Sequence, residues 1–143
     1  MQVLSVNVGK VRETKWKGKT FNTAIFKEPV TGRVPVGTLG LADDEHANTE
    51  NHGGVLKALF PYPYEHYAEF WHEALSGTSL SHGRFGENLT TQSWLDDQIN
   101  LGDRYRIGTA TVMVTIPRKP PVLTVWQVGT DFLIESIDAQ HGC

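Results

Sequence analysis

The stretch TIPRKPP, residues 115 to 121, places two cations at the end of a strand-like pattern. Arg118 and Lys119 follow Pro117, whose ring fixes the backbone φ angle and stiffens the corner. A guanidinium offers a planar pair of donors to phosphate or carboxylate, and an ammonium adds a point charge. The corner could therefore bind an anion. A basic corner that faces solvent accounts for the same residues equally well.

A second polar group lies in the segment ADDEHANTENHGG, residues 42 to 54. This segment crowds six carboxylate and imidazole side chains into one predicted loop: Asp43, Asp44, Glu45, His46, Glu50 and His52. Such side chains are ligands for divalent metals. Their spacing matches no zinc motif, however, and acidic loops are common on solvated surfaces. We therefore favour a solvated loop and predict no metal site.

The end of this loop carries a different signal. Gly53 and Gly54 follow His52, and paired glycines let a backbone adopt positive φ and approach a ligand closely. With Lys57 just beyond, backbone N–H groups and one ammonium could receive an anionic group. An ordinary turn is the simpler interpretation of the same three residues.

Two further pairs leave alternatives open. Glu87 and Asn88 lie in GRFGENLTTQSW, where Arg84 also stands. The pair could orient a polar ligand or satisfy loop backbone groups. Glu69 and His72 have the spacing used in di-iron helical bundles, but this chain lacks the matching helices. For that second pair we favour a solvated polar face.

The elements that must position these groups are mostly strands. Apolar and polar residues alternate from 109 to 116 and in SVNV, residues 5 to 8, which predicts half-buried strands. KTFNTAIFK (19 to 27) and GRVPVGTL (32 to 39) predict two more, with Pro35 placing the latter near a sheet edge. NLGDRYRIG predicts a turn at Gly102 and Asp103 that leads into a short strand.

Two segments have helical patterns. PYPYEHYAEFWHEALSG predicts a helix near residues 63 to 75, with an apolar stripe at helical spacing and Gly77 as its stop. TDFLIESIDAQHG predicts a second helix, with Asp131 as the N-cap. Many strands with one or two short helices indicate a mainly β fold, either barrel-like or α+β.

The composition indicates a single folded domain over residues 1 to 143, because 39% of the residues are hydrophobic and 20% are charged. A net charge of -3 gives no reason to expect nucleic-acid or anionic-membrane binding. The N-terminal sequence has neither the basic nor the apolar region of a secretion signal, so we expect a cytoplasmic protein. The one cysteine, Cys143, excludes an intramolecular disulfide or a cysteine-rich zinc site.

Seven segments in collinear order resemble one family: VGK, GKTFNTAIFKEPVTGRV, LGLADDEHANTENHGG, YPYEHYAEFW, GRFGENLTT, LGDRYRIG and PRKP. The combination of EHY with FGENLTT and GDRYRIG is far more specific than any single segment. The chain resembles the MOSC domain family, named for the C-terminal domain of molybdenum cofactor sulfurase. The similarity is greatest to its stand-alone bacterial branch of the YiiM type.

This resemblance implies a MOSC-like β-barrel that holds a molybdopterin cofactor among basic side chains and backbone donors. It implies reductive removal of the hydroxyl oxygen from N-hydroxylated bases, with electrons from a separate donor. It also implies a Pro-Arg-x-Pro-Cys motif whose cysteine binds molybdenum or carries sulfur. By the same resemblance, eight residues are expected at the cofactor pocket: Arg118, Lys119, Lys57, His52, Gly53, Gly54, Glu87 and Asn88.

The sequence departs from the family pattern at its metal ligand. Pro121 stands where the family has cysteine, and proline offers no side-chain donor atom. Leu56 likewise replaces an acidic residue of the family motif. We therefore expect impaired or absent redox activity. Two alternatives remain open: a non-catalytic binder of the pterin cofactor or another anionic small molecule, and a structural or interaction module.

Family members of the YiiM type continue past the equivalent of Gly142 into another strand and a helical tail. Without a barrel strand, an open sheet edge would remain. We expect local rearrangement or a second copy of the chain, in a homodimer, to cover that edge.

Overall fold

A computed structural model describes residues 1–16, 18–72, 77 and 79–116 of the chain. For residues 16, 51, 52, 70 and 71 it describes the backbone only. The predicted second helix with its N-cap Asp131 lies outside the described residues. So do three residues of the expected pocket corner: Arg118, Lys119 and Pro121.

The described part of the chain is mainly β, as the sequence predicts. Its strands are β1 (Gln2–Val8), β2 (Arg12–Trp16), β3 (Lys19–Thr23), β4 (Glu28–Val30), β5 (Val36–Gly37), β6 (Gly40–Leu41), β7 (Pro61–Pro63), β8 (Leu89–Gln92), β9 (Arg104–Ile107) and β10 (Ala110–Met113). The helical elements are α1 (Thr49–His52), 3-10 turns at Val55–Lys57 and Asp96–Gln98, and a π-helix at His66–Trp71.

The largest sheet has four strands in the order β4-β1-β8-β7. β1 pairs antiparallel with both β4 and β8, and β7 pairs parallel with β8. Prolines occur only in the two edge strands of this sheet, at Pro29 and at Pro61 and Pro63. Proline cannot donate to a β-ladder, so this distribution is what the backbone chemistry requires.

Three two-stranded hairpins complete the described strands: β2–β3, β5–β6 and β9–β10. In β10 the predicted alternation is confirmed, because Ala110 and Val112 are half-buried while Thr111 and Met113 are exposed. The turn at Gly102 is also confirmed, and the Gly102 N–H donates to the carbonyl of Val114 at 2.8 Å. None of the sheets formed by the described residues closes into a barrel.

Besides the strand expected from 109 to 116, which is limited to Ala110–Met113, two predicted strands are shorter than their patterns indicate. The strand expected from 19 to 27 ends at Thr23, because the chain then turns inward and buries Ala24 and Ile25. The strand expected from 32 to 39 is reduced to Val36–Gly37, at the edge position that Pro35 indicated. In both cases tertiary packing overrides the local pattern.

The helix predicted near 63 to 75 is present but is wound largely as the π-helix His66–Trp71. Gly77 has φ of 80° and donates its N–H to the His72 carbonyl at 2.7 Å, which confirms its role as the stop. Glu69 and His72 are exposed, which agrees with the predicted solvated face. No helix among the described residues has the length and apolarity needed to cross a membrane.

Candidate functional site

The most deeply buried large side chains of the described residues are polar. They are Glu87, Asn7, Asn88, Thr90 and Thr91, each less than 2% exposed. Asn7 lies in β1, Thr90 and Thr91 lie in β8, and Glu87 and Asn88 directly precede β8. Three more side chains join four of these residues by hydrogen bonds. We call this set the polar core cluster: Asn7, Lys27, Asp44, Tyr67, Glu87, Asn88 and Thr90.

Glu87 is the acceptor at one end of the cluster. Its Oε1 accepts from the Tyr67 hydroxyl at 2.5 Å, the Gly83 N–H at 2.8 Å and the Thr90 hydroxyl at 2.9 Å. Its Oε2 accepts from the Phe85 N–H at 3.0 Å. An ionised carboxylate has about four acceptor positions, so these four donors use its capacity. The contacts favour the alternative in which Glu87 satisfies loop backbone groups.

Tyr67 is held in its protonated form by this arrangement. Burial raises the pKa of its hydroxyl far above the ordinary value of 10.0, and the nearby Glu87 raises that pKa further. Both effects disfavour a phenolate, because the anion would lose hydration and face a second negative charge. Tyr67 is therefore a hydrogen-bond donor to Glu87 and not a general base.

Asn7 and Asn88 connect the strands to the loops. The Asn7 side-chain amide donates to the Glu87 carbonyl and to the Thr90 hydroxyl, both at 3.2 Å. The Asn88 amide donates to Asp44 Oδ2 at 2.8 Å. Asn88 Oδ1 accepts the N–H of Phe60 at 3.0 Å, and the Phe60 carbonyl accepts the N–H of Asn88 at 2.8 Å. Asn88 therefore holds the segment that precedes β7 against β8.

Asp44 and Lys27 form a buried ion pair at the other end. Lys27 Nζ lies 2.5 Å from Asp44 Oδ1, and the two side chains are 6% and 0% exposed. The same Asp44 oxygen accepts the Gly9 N–H at 2.9 Å. A buried carboxylate needs such compensation, because its transfer from water is costly.

The interpretation of the acidic loop as solvated is wrong for Asp44 and for His46, whose side chains are 0% and 15% exposed. Asp44 is buried, whereas Asp43 is exposed at φ of 64° with its carboxylate 3.8 Å from Lys10. Glu45 accepts the Val11 N–H at 2.6 Å. Among the residues that the structure describes, no three His, Cys, Asp or Glu side chains come together as metal ligands do.

The glycine turn before Lys57 is open. Gly54 has φ of 88°, and a Cβ placed there would meet no atom of the described part of the chain within 4 Å. The Lys57 N–H donates to the Gly54 carbonyl at 3.0 Å, which fixes the 3-10 turn. The Thr115 hydroxyl donates to the Leu56 carbonyl at 2.6 Å, so the end of the β9–β10 hairpin contacts this turn. An anionic group has room to approach the Gly54 backbone here.

Sequence reasoning found some of these residues and missed others. It singled out Glu87 and Asn88, which the structure joins in one cluster, and the Gly53–Lys57 turn, which is a separate feature. It missed Lys27, Asn7 and Tyr67, whose patterns resemble those of ordinary strand or helix residues. A lone polar residue inside a strand, such as Asn7 between two valines, was the available signal.

The comparisons with known proteins agree with this architecture. A sequence model of the MOSC domain matches residues 48–132, more than half of the 143 residues. The chain belongs to the MOSC domain family. The match covers β7, β8, β9 and β10 together with the Val55–Lys57 turn.

Several MOSC relatives are similar along most of this chain. The uncharacterized protein YflK of Bacillus subtilis is 38% identical over 132 residues, or 92% of this chain and 59% of that protein. Protein YiiM of Escherichia coli is 38% identical over 99 residues, or 68% of this chain and 44% of that protein. A protein named reductase from Gibberella moniliformis is 32% identical over 82% of this chain and 21% of its own length.

Solved structures show the same fold. The crystal structure of YiiM from Geobacillus stearothermophilus superposes with a TM-score of 0.75 at 32% identity, covering 98% of this chain and 63% of that one. YiiM from Escherichia coli gives a TM-score of 0.68 at 23% identity over 96% of this chain and 56% of that one. The chain thus spans about half of the YflK and YiiM relatives, from 44% to 63% of their lengths, and a fifth of the reductase.

Proposed function

We propose that this MOSC domain binds a molybdopterin-type cofactor by its anionic group, with redox activity impaired by the residue at 121. The MOSC family is associated with the molybdenum cofactor, and relatives named YiiM and reductase support an oxidoreductase ancestry. The proposal includes the closed MOSC-like barrel, a cytoplasmic location and a separate electron donor. The substrates proposed for the redox-competent form are N-hydroxylated bases.

The observation that carries the proposal is the hydrogen bond between Thr115 and Leu56. It joins the open turn at Gly54 and Lys57 to the strand end that leads into the basic corner. Arg118 lies three residues beyond Thr115, and three peptide units span at most about 11 Å. The proposed pocket therefore includes Arg118 and Lys119, which follow Thr115 closely in the sequence.

The glycine turn fits an anionic group. Gly54 presents its backbone at positive φ without a side chain in the way, and Lys57 supplies an ammonium in the next turn. Gly53 and His52 complete the proposed contacts on this side. Asn88 acts indirectly by holding Phe60, three residues after Lys57, through two hydrogen bonds. Its side-chain Oδ1 accepts the Phe60 N–H, and its own N–H donates to the Phe60 carbonyl.

The metal part of the cofactor fits less well. Molybdenum supplies a centre that accepts and returns electron pairs, and a thiolate is the soft ligand suited to it. Pro121 has no such donor atom. The positive charge of Arg118 and Lys119 does not replace a ligand, so we expect the domain to retain the pterin better than the metal.

Pro121 also favours the second candidate function, a binder of the pterin cofactor or another anionic small molecule without redox chemistry. A purely structural or interaction module is the third candidate. It is favoured by the polar core cluster, whose donors and acceptors are matched largely by groups of the protein itself.

Cofactor content separates these candidates. The chain is purified from a host that makes the molybdenum cofactor, then assayed for released pterin by fluorescence and for molybdenum by mass spectrometry. We expect pterin with substoichiometric molybdenum in the wild type, and a higher molybdenum-to-protein ratio in Pro121→Cys. Lys57→Ala should retain about tenfold less pterin, because it loses a charged contact.

Lys19→Ala is the matched control, since it removes an exposed lysine from the β2–β3 hairpin. It should leave the pterin content unchanged. Stoichiometric molybdenum in the wild type would favour full redox function. Absence of both pterin and molybdenum from well-folded protein would contradict cofactor binding and leave the structural module.

A further inference from the structure

Arg84 lies on a turn whose backbone is fixed on both sides. The N–H groups of its neighbours, Gly83 and Phe85, donate to the Glu87 carboxylate at 2.8 and 3.0 Å. Arg84 lies between these two anchored residues. The turn therefore holds the base of the Arg84 side chain in one place.

The turn is also packed tightly against the rest of the fold. Gly83 has φ of 83°, and a Cβ there would lie 2.5 Å from the Lys27 carbonyl oxygen. Gly86 closes the turn by donating its N–H to the Gly83 carbonyl at 3.0 Å. A charged side chain that starts from such a turn keeps its position with little loss of conformational freedom.

One hydrogen-bond donor of the Arg84 guanidinium lacks an acceptor in the described part of the chain. Its Nε is buried and has no hydrogen-bond partner among the residues that the structure describes, and none of the described carboxylates forms an ion pair with Arg84. The two buried carboxylates of the polar core cluster already have partners. Asp44 neutralises Lys27, and Glu87 accepts four hydrogen bonds.

Arg84 as a whole is half-buried, its Nε is buried, and its guanidinium is a permanent cation. A buried charged donor is stable when an opposite charge or an acceptor meets it. We propose that Arg84 binds the oxyanion group, phosphate or carboxylate, of a small ligand. The planar fork of the guanidinium suits both groups, because each presents two oxygens at matching spacing.

This site is independent of the cofactor contacts proposed for the Lys57 turn, because it rests on Arg84 and on the turn from Gly83 to Glu87. Its test therefore uses simple anions. The full chain is titrated with inorganic phosphate and, separately, with acetate, while backbone amide shifts are followed by NMR. We expect saturable shifts at Arg84 and Gly86 with at least one anion, and none with sodium chloride at the same ionic strength.

Variants make the test specific to the side chain. Arg84→Gln should raise the Kd of the bound anion about tenfold or more, because a charge-assisted hydrogen bond is lost. Arg84→Lys keeps the charge but loses the planar fork, so its Kd should lie between the Kd of the wild type and that of Arg84→Gln. Arg104→Gln, on the exposed side of β9, should bind as the wild type does.

Three outcomes would overturn the proposal: no saturable shift with either anion, the same shifts with chloride, or an unchanged Kd in Arg84→Gln. Thermal unfolding of each variant checks that it is folded. If Arg84→Gln does not fold, Arg84→Lys decides, and an unchanged Kd in that variant would also contradict the planar-fork contact. Pterin retention by the Lys57 variant is a separate readout, so either proposal can fail alone.

Discussion

Lys27 and Asp44 are ionisable side chains in an almost fully buried position, 6% and 0% exposed. Their mutual attraction offsets the cost of removing both charges from water. The pair does not stand alone, because Asp44 also accepts hydrogen bonds from Gly9 and Asn88. Removal of either side chain leaves the other buried without its ion-pair partner, and the hydrogen bonds to Asp44 offset that loss only in part.

We predict that Lys27→Met lowers the free energy of unfolding by about 3 to 5 kcal/mol, because Asp44 becomes an unpaired buried carboxylate. Urea unfolding monitored by circular dichroism measures the change. The double variant Lys27→Met/Asp44→Leu should recover part of the loss but not all of it. Two donors, the Gly9 N–H and the Asn88 amide, then lose their acceptor. A loss below about 1 kcal/mol in the single variant would show that the pair is solvated.

Tyr67 gives a pH-dependent prediction. Its pKa is raised above the ordinary value of 10.0, first by burial and then by Glu87. Above pH 10 the unfolded chain releases the Tyr67 proton while the folded chain keeps it. The stability that Tyr67 contributes is therefore fully present below about pH 10 and declines as the pH rises further.

Comparison with Tyr67→Phe isolates this contribution. At pH 8 the variant should be less stable by about 1.5 to 3 kcal/mol, because a hydrogen bond to a charged acceptor is lost. At pH 11 the difference should be about 1.4 kcal/mol smaller. Urea unfolding at both pH values measures it. Tyr64→Phe, at a residue that is 37% exposed, is the control and should change stability little. An equal difference at pH 8 and pH 11 would contradict the raised pKa.

At the scale of elements, the turn from Gly83 to Glu87 joins the helical segment to the main sheet. Gly83 satisfies two conditions there, a positive φ and close contact with the Lys27 backbone. Gly102 satisfies the first condition only. Its φ is 89°, and a Cβ there would meet no atom within 4 Å among the residues that the structure covers. Substitutions at the two glycines therefore distinguish the energetic cost of backbone strain from that of steric contact.

We predict that Gly102→Ala costs about 1 to 2 kcal/mol, because a side chain at positive φ is strained. Gly83→Ala should cost at least about 2 kcal/mol more, since either the turn or the Lys27 backbone must move. Thermal or urea unfolding of the two variants measures the difference. Equal losses of stability in the two variants would mean that the Gly83 turn accommodates a Cβ without additional cost.

At the scale of the whole molecule, one hydrogen-bonded network ties the acidic loop, the main sheet and the π-helix together. It runs from Lys27 and Asp44 through Asn88 and Asn7 to Glu87 and Tyr67. Buried polar networks of this kind fix one arrangement of the elements, because any other arrangement leaves polar atoms unpaired. The homodimer and the closed barrel stay predictions.

The sequence by itself determined the MOSC resemblance, the mainly β class and the positions of the Gly77 stop and the Gly102 turn. These follow from local conformational preferences and from motifs that stand in collinear order. It also determined that Pro121 provides no metal ligand, because side-chain chemistry does not depend on the fold.

Only the tertiary structure decided which polar residues are buried. Asn7 alternates with valines in SVNV, yet it is the fully buried residue of β1. Asp44 has the same local surroundings as the exposed Asp43, but it faces Lys27, 17 residues away in the sequence. Hydrogen bonds that span as many as 83 residues, such as that between Asn7 and Thr90, leave no periodic signal along the chain. Burial of a polar group depends on partners that only the folded chain brings together.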